Sequence, residues 1–287
     1  MAFLKTEAVV IKTFNLRETD KIITFFSADF GKIQGIAKGI RKIKSRYSGK
    51  LELFTRVRVI FFRKTAVGGF SGTHPLLRIT QVDAIEAFPQ LHADFNKIIG
   101  ASYVAEFLNK VFEEYDNTHQ AVYTLVCDTF RVLAASDQLR NILPAFEIRL
   151  LAELGYAPIL DHCTVCGKTL GRQAAELPTS PPGPLSEGRR GNTEFMGFSS
   201  AAGGIVCQAC KLLKKDSLAI SPEAVVILRQ LLAADLNAVP AIALPTEKYR
   251  EIKNLLANHF HYHLGLSLKT EAFVQKLRAA HVTEEVR

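Results

Sequence analysis

Arg56-Val57-Arg58-Val59-Ile60-Phe61-Phe62-Arg63 is the plainest strand in the chain. Val57, Val59 and Phe61 fall on one face by the period of two, which is the signature of a strand half sunk in a core. Toward the N-terminus the same signal recurs. Residues 32–37 alternate after the turn Asp29-Phe30-Gly31, residues 21–27 precede that turn, and a polar turn at Arg17–Asp20 separates them from residues 6–15. Toward the C-terminus, Gly68-Gly69 turns the chain and residues 77–82 read as a closing strand. Five short strands in about 80 residues, divided by glycine-bearing turns, describe a small barrel.

Beyond Pro89 the period changes. Apolar residues recur at helical spacing over 92–114 (Phe95, Ile98, Ile99, Tyr103, Phe107, Val111), 118–135 and 138–154, where Gly155 provides a stop. Three more helices are expected at 221–236, 245–264 and 270–281, with Ser221-Pro222-Glu223 and Pro245-Thr246-Glu247 as start signals. The stretch 176–194 carries four Pro and three Gly and little to bury, so it reads as a disordered loop. The expected organisation is α+β and multidomain: a β-barrel at 1–82, an all-α helical domain at 88–160 and 217–281, and a cysteine-bearing insert at 161–216.

The chain has 287 residues and a net charge of +8. Residues 1–80 hold 16 Lys and Arg against 5 Asp and Glu, whereas the remainder holds 20 against 23. The positive field therefore belongs to the barrel, and it implies a polyanionic partner. It peaks in Lys38-Gly39-Ile40-Arg41-Lys42-Ile43-Lys44-Ser45-Arg46-Tyr47-Ser48-Gly49-Lys50, which has six cations and no acid and joins two expected strands. Lys38, Arg41, Lys42, Lys44, Arg46 and Lys50 are candidate phosphate ligands, and Tyr47 is a candidate to stack on a base. Arg56 and Arg58 extend the candidate surface, as do Arg63 and Lys64. Phosphate contacts do not distinguish sugars, so an RNA-binding barrel is the alternative binding reading.

Cys163-Thr164-Val165-Cys166-Gly167 and Cys207-Gln208-Ala209-Cys210 form two C-x-x-C knuckles. Four thiolates make a closed tetrahedral zinc site, and Gly167 permits the tight turn that brings backbone N–H groups toward sulfur. The 40 residues between the pairs exceed a compact ribbon, but extra loop length costs little, about 0.6 kcal/mol per doubling. A redox pair would want one C-x-x-C at a strand-to-helix turn, and a zinc deaminase would want His-x-Glu where Asp161-His162-Cys163 stands. A structural Zn2+ on Cys163, Cys166, Cys207 and Cys210 is therefore expected. Cys127 lies on an apolar helical face as a core residue.

Catalysis has no visible seat. No phosphate-binding G-x-x-x-x-G-K-[ST] loop appears, and no carboxylate pair or Ser/His/Asp set stands out. A zinc-dependent nucleic-acid enzyme is disfavoured because four thiolates leave no position for an activated water. His259, His261 and His263 alternate within an expected helix, where i and i+2 do not share a face, so they read as surface or helix-end residues. The start of the chain does not resemble a signal peptide, and no apolar run reaches the roughly 18 residues of a membrane span. The expected setting is cytoplasmic and nucleoid-associated.

Several runs resemble the RecO family of bacterial repair proteins. They are Glu7-Ala8-Val9-Val10-Ile11-Lys12, Glu18-Thr19-Asp20-Lys21-Ile22-Ile23-Thr24-Phe25-Phe26-Ser27, Gly31-Lys32-Ile33, and Ala37-Lys38-Gly39-Ile40-Arg41. A fifth, Phe146-Glu147-Ile148-Arg149-Leu150-Leu151-Ala152-Glu153-Leu154-Gly155-Tyr156-Ala157-Pro158, leads into the first knuckle. The resemblance covers essentially the whole chain, and the stretch 176–194 departs from it as an insertion. It implies an N-terminal OB-fold, a helical domain and a zinc-binding insert. It further implies binding of single- and double-stranded DNA and annealing of complementary strands. With RecR, such a protein helps load RecA onto strands coated by single-strand-binding protein (SSB). The implied partners are RecR, the SSB C-terminal tail, RecA and RecF.

Overall fold

The structure, a computed structural model, describes residues 2–63, 77–169 and 196–266. Five strands form the N-terminal barrel: β1 (Ala2–Asn15), β2 (Lys21–Ser27), β3 (Gly31–Ala37), β4 (Arg56–Arg63) and β5 (Leu77–Glu86). They close in the order β1-β2-β3-β5-β4. The period-two reading of β4 holds, because Val57, Val59 and Phe61 are all fully buried. They meet Val10, Phe25, Ile33, Leu77 and Ile79 in one core.

Closure depends on β1 serving two partners. Its first half pairs with β4 (Ala2↔Arg63 through Val9↔Arg56) and its second half with β2 (Ala8↔Ser27 through Asn15↔Lys21). A register shift between Val10 and Lys12 bends the strand from one neighbour to the other, as bulges do in small barrels. The seam is a short parallel contact, Gly35↔Leu77 and Ile36↔Arg78. A Cβ on Gly35 would stand 2.8 Å from both Phe61 and Ile79, so the seam needs a residue without a side chain.

Gly31 opens β3 at φ +60°, and a Cβ there would lie 1.7 Å from the carbonyl oxygen of Asp116. The segment around Asp116 is fastened to β3 by Tyr115 N–H donating to Lys32 O at 2.8 Å and by Gln34 Nε2 donating to Glu114 Oε1 at 2.5 Å. Gly31→Ala is expected to cost about 2–4 kcal/mol by urea unfolding, from left-handed strain plus displacement of backbone. Gly49→Ala is the control. Gly49 also has positive φ (+69°) but nothing within 4 Å, so about 1 kcal/mol is expected. Equal losses for the two variants would contradict the close approach.

The chain divides into two compact units, one reaching Leu139 and the other spanning Arg140–Leu266. The boundary expected at 82–88 thus falls inside the first unit, which also holds α1 (Pro89–Ala93), α2 (Phe95–Val111) and α3 (Gln120–Ala135). The outer side of the barrel is apolar enough to bind these helices. Phe26 packs on Phe112 at 5.0 Å, and Phe54, held at φ +67°, packs on Phe130 at 5.4 Å. The single helix expected from 92 is broken at Asp94, whose carboxylate accepts the Lys97 N–H at 2.9 Å and starts α2 afresh. Phe95, placed on the apolar stripe by its spacing, is 62% exposed at that new start. Cys127 is buried in α3, as expected.

The second unit contains α4 (Leu139–Glu153), β6 (Met196–Ser199), β7 (Gly204–Val206), α5 (Gln208–Lys211), β8 (Leu218–Ile220), α6 (Pro222–Ala233) and α7 (Thr246–Leu264). Gly155 follows α4 at φ +80°, the left-handed stop its position implies. Ser221 caps α6 by accepting the Ala224 N–H at 3.3 Å. Arg149 of α4 donates to Leu231 O at 3.0 Å and to Ala234 O, satisfying carbonyls at the far end of α6. Asn141 reaches Ile242 O at 2.6 Å, tying α4 to the turn before α7. Strands β7, β6 and β8 form a three-stranded sheet in that order. The turn at Gly68-Gly69, Lys64, the loop 176–194 and the helix expected at 270–281 lie outside the described residues. Among the described residues no helix is long and apolar enough to cross a membrane.

Candidate metal centre and nucleic-acid interface

The two knuckles are built by different local rules. In the first, Gly167 at φ +72° lets its N–H reach back to Cys163 O at 2.8 Å, closing the turn that carries Cys163 and Cys166. In the second, Cys207 leaves β7 and caps α5, and Lys211 N–H donates to Cys207 O at 2.8 Å. Thr164 N–H donates to Ile205 O at 2.9 Å, which lays the first knuckle against β7.

The four Sγ atoms all lie within 4.8 Å of one another, with Cys166 and Cys207 at 3.8 Å. Four sulfurs at about 2.3 Å from a tetrahedral zinc stand about 3.8 Å apart, so the set fits such an ion. Burial opposes ionisation of Cys163, but the N–H groups of Cys207, Cys166 and Val165 aimed at its sulfur outweigh it and pull its thiol down. Cys210 is pushed up, first by its hydrogen bond to Cys207 and then by burial. One sulfur is prepared as a thiolate while its neighbour resists becoming one. A divalent cation removes that conflict.

The basic segment is a chain of turns between β3 and β4. Gly39 N–H donates to Asp20 Oδ1 at 2.8 Å and Arg41 N–H to Thr19 O at 3.1 Å, fastening the segment to the β1–β2 turn. The Gly39 N–H first, and the Thr19 hydroxyl donating to Asp20 Oδ1 at 3.0 Å next, hold the Asp20 carboxyl below its ordinary range. Further turns follow from Lys42 N–H to Gly39 O at 3.2 Å and Ser45 N–H to Lys42 O at 3.0 Å. Lys38, Arg41, Lys42, Lys44 and Arg46 are exposed on this framework.

Five of the expected DNA-binding residues have partners within the protein, Arg46 among them, whose Nη2 donates to Tyr47 Oη at 2.6 Å. Tyr47 is a core residue, 2% exposed, and its hydroxyl donates to Ile79 O at 2.9 Å. It pins the segment into the barrel and has no face to offer a base. Arg56 is held by Glu7 at 2.7 Å, by Tyr123 Oη at 3.2 Å and by Glu86 at 3.7 Å, so its guanidinium joins the barrel to α3 rather than facing a phosphate. Arg58 shares Glu7 at 2.9 Å with its side chain half exposed. Lys50 donates to Val82 O at 3.1 Å and stands 3.6 Å from Asp83. Two exposed features escaped the sequence reading. Ile43 lies inside the basic run, and Phe14 at the end of β1 and Leu16 just after it precede Arg17 at the adjoining turn.

Comparison with known proteins accounts for both halves of the chain. Residues 1–88 match the family model described as Recombination protein O N terminal, and residues 92–272 match Recombination protein O C terminal. The chain belongs to the recombination protein O family. Among its relatives, "DNA repair protein RecO" of Caldanaerobacter subterraneus subsp. tengcongensis is 28% identical over 96% of this chain and 99% of its own. The protein of the same name from Pelotomaculum thermopropionicum is 29% identical over 98% of this chain and 96% of its own, and that of a Nocardioides strain is 29% identical over 95% and 99%.

In this RecO-family chain one histidine of α7 departs from expectation, while His261 and His263 lie in its last turn. His259 is 1% exposed, with Nε2 3.0 Å from Tyr156 O and its ring against Phe198 at 5.3 Å and His263 at 4.4 Å. The i, i+4 spacing turns 259 and 263 inward and leaves 261 outward. Burial pushes the His259 imidazole down to about 4. An unfolded chain binds this proton near pH 6.5 and the folded one does not, so stability is full above that pH and is lost as pH falls toward 4. A loss of about 2 kcal/mol is expected between pH 7 and pH 5, read by urea unfolding. His259→Phe should flatten that slope, and an unaltered slope would refute the assignment.

Proposed function

We propose that this protein is a non-enzymatic DNA-binding mediator that anneals complementary strands through the basic turns between β3 and β4. The observation that carries the reading is the group Lys38, Arg41, Lys42 and Lys44, exposed on a backbone fastened at Gly39 and Arg41 and rooted in the barrel by Tyr47. Cations held in one place neutralise phosphates without ordering flexible chain at the moment of binding. Neutralisation lowers the repulsion between two strands, so they can pair with no bond made or broken by the protein. Both single and double strands offer the phosphates this surface needs. Its relatives are DNA repair proteins by name, which supports a place on chromosomal DNA at the nucleoid.

Zn2+ is the proposed occupant of Cys163, Cys166, Cys207 and Cys210. It would supply a cross-link between the two knuckles, and a full shell of four thiolates leaves no position for an activated water. The proposed protein partners are RecR and the SSB C-terminal tail on the helical body, with RecA loading onto SSB-coated DNA as the outcome and RecF as a further participant. Family membership supports these partners.

The test is annealing of complementary oligonucleotides, bare and SSB-coated, with and without RecR. Acceleration that declines as salt rises is expected. Annealing no faster than the protein-free control would overturn the reading.

A further inference from the structure

We propose that Ile43 is a wedge that enters the base stack of bound DNA, flanked by the cations that hold the backbone. This rests on the DNA-binding reading above and adds to it a contact with bases. Ile43 is 101% exposed, the most open of the large apolar side chains among the described residues. A lone exposed isoleucine ordinarily needs no explanation. Its position gives this one a use. Arg41, Lys42 and Lys44 are its immediate neighbours and are exposed with it. The turn that carries all four is closed on both sides, by Lys42 N–H to Gly39 O and by Ser45 N–H to Lys42 O. The other apolar residues of the segment turn inward, since Ile40 packs on the barrel core and Tyr47 lies within it.

A strand drawn in by those cations presents two kinds of surface, charged backbone and apolar base faces. Only the second complements an isoleucine. Branched aliphatic side chains act this way on other nucleic acids, entering a base step and unstacking it while nearby cations grip the phosphates. The neighbouring turn repeats the combination. Phe14 is 64% exposed and Leu16 38% exposed, beside Arg17. Phe14 pairs with Ile22, which pairs with Ile36, so the three share the outward face of the sheet. The Arg41 N–H to Thr19 O bond joins this turn to the one that carries Ile43.

The experiment uses the full-length protein and oligonucleotides with 2-aminopurine at successive positions. Wild-type binding should raise 2-aminopurine fluorescence at one position as the stack opens. Ile43→Ala should lose that rise and bind ~3- to 10-fold more weakly, with the salt dependence unchanged because no charge is removed. Ile43→Leu should restore both. Wild-type affinity and fluorescence in Ile43→Ala would overturn the wedge. The triple variant Arg41→Ala, Lys42→Ala, Lys44→Ala separates the two levels. If its salt slope stays at the wild-type value, the segment is not the DNA contact and the underlying reading fails. If its slope drops while Ile43→Ala is inert, the wedge alone fails. Ile43 supports nothing in the fold, so its replacement leaves the barrel intact.

Discussion

Stripping the proposed Zn2+ with a chelator, or replacing Cys163 with Ser, is expected to unfold the cysteine-bearing insert and cost the second unit several kcal/mol. The reason is the poverty of its core. Around the cysteines the insert buries only Cys163, Val206 and Cys210, with Ala202 and Cys207 at the margin, and among its described residues Met196, Phe198 and Ile205 are the other buried apolar side chains. Its strands are 4, 3 and 3 residues long. Ordering each residue costs about 1–2 kcal/mol in backbone entropy, which so few apolar side chains do not offset. A four-thiolate zinc site contributes about 10–16 kcal/mol of apparent binding free energy at neutral pH, and that energy is also folding energy. Elemental analysis should find one zinc per chain in the wild type. After chelation, amide protection should vanish at Thr164, Cys207 and Lys211, whose N–H groups donate within the site. Protection in the ladder between β1 and β4 should survive. Metal-free protein with unchanged protection at those three amides would sink the structural role of the ion.

Replacing Arg41, Lys42 and Lys44 together with Ala should weaken DNA binding about 10²-fold near 0.1 M salt. It should also reduce the slope of log K against log salt by about 2–3. Each lost contact no longer releases a counterion, and the three cations sit within four residues on one turn system. Arg56→Ala is the informative contrast. Its charge is held by Glu7, Tyr123 and Glu86, so its loss should destabilise the first unit while leaving the slope nearly unchanged. If Arg56→Ala flattened the slope as much as the triple variant, the contact surface would have to move from the turns to the face of β4.

The parts of this fold that were legible in the sequence are those with a period or a fixed spacing. The alternation in β4 needed only that one face be buried, and two C-x-x-C pairs specify their own geometry. Charge also reads directly, since a run such as 38–50 has nowhere to sit but at the surface. What stayed hidden depends on what covers a residue from elsewhere. Parity along β4 places Arg56 and Arg58 outward, but not that α3 lies over Arg56 with Tyr123. Turns carry no period, so nothing local marked Tyr47 as buried or Ile43 as open. Strands β6, β7 and β8 are too short for alternation to register. In α7 the histidine spacing was read through its i, i+2 pairs, whereas the pair that matters is His259 with His263.

The order of the barrel also sets a clock on its making. Strand β5 stands between β3 and β4, so the ring cannot shut until residue 86 has left the ribosome. At 5–20 residues per second, β1 waits for its last companions for on the order of several seconds. Until residue 63 is out, its first half has no hydrogen-bonding neighbour, because β4 begins more than 40 residues later. During synthesis, therefore, half of the strand that later holds the ring together stands without its ladder until β4 arrives.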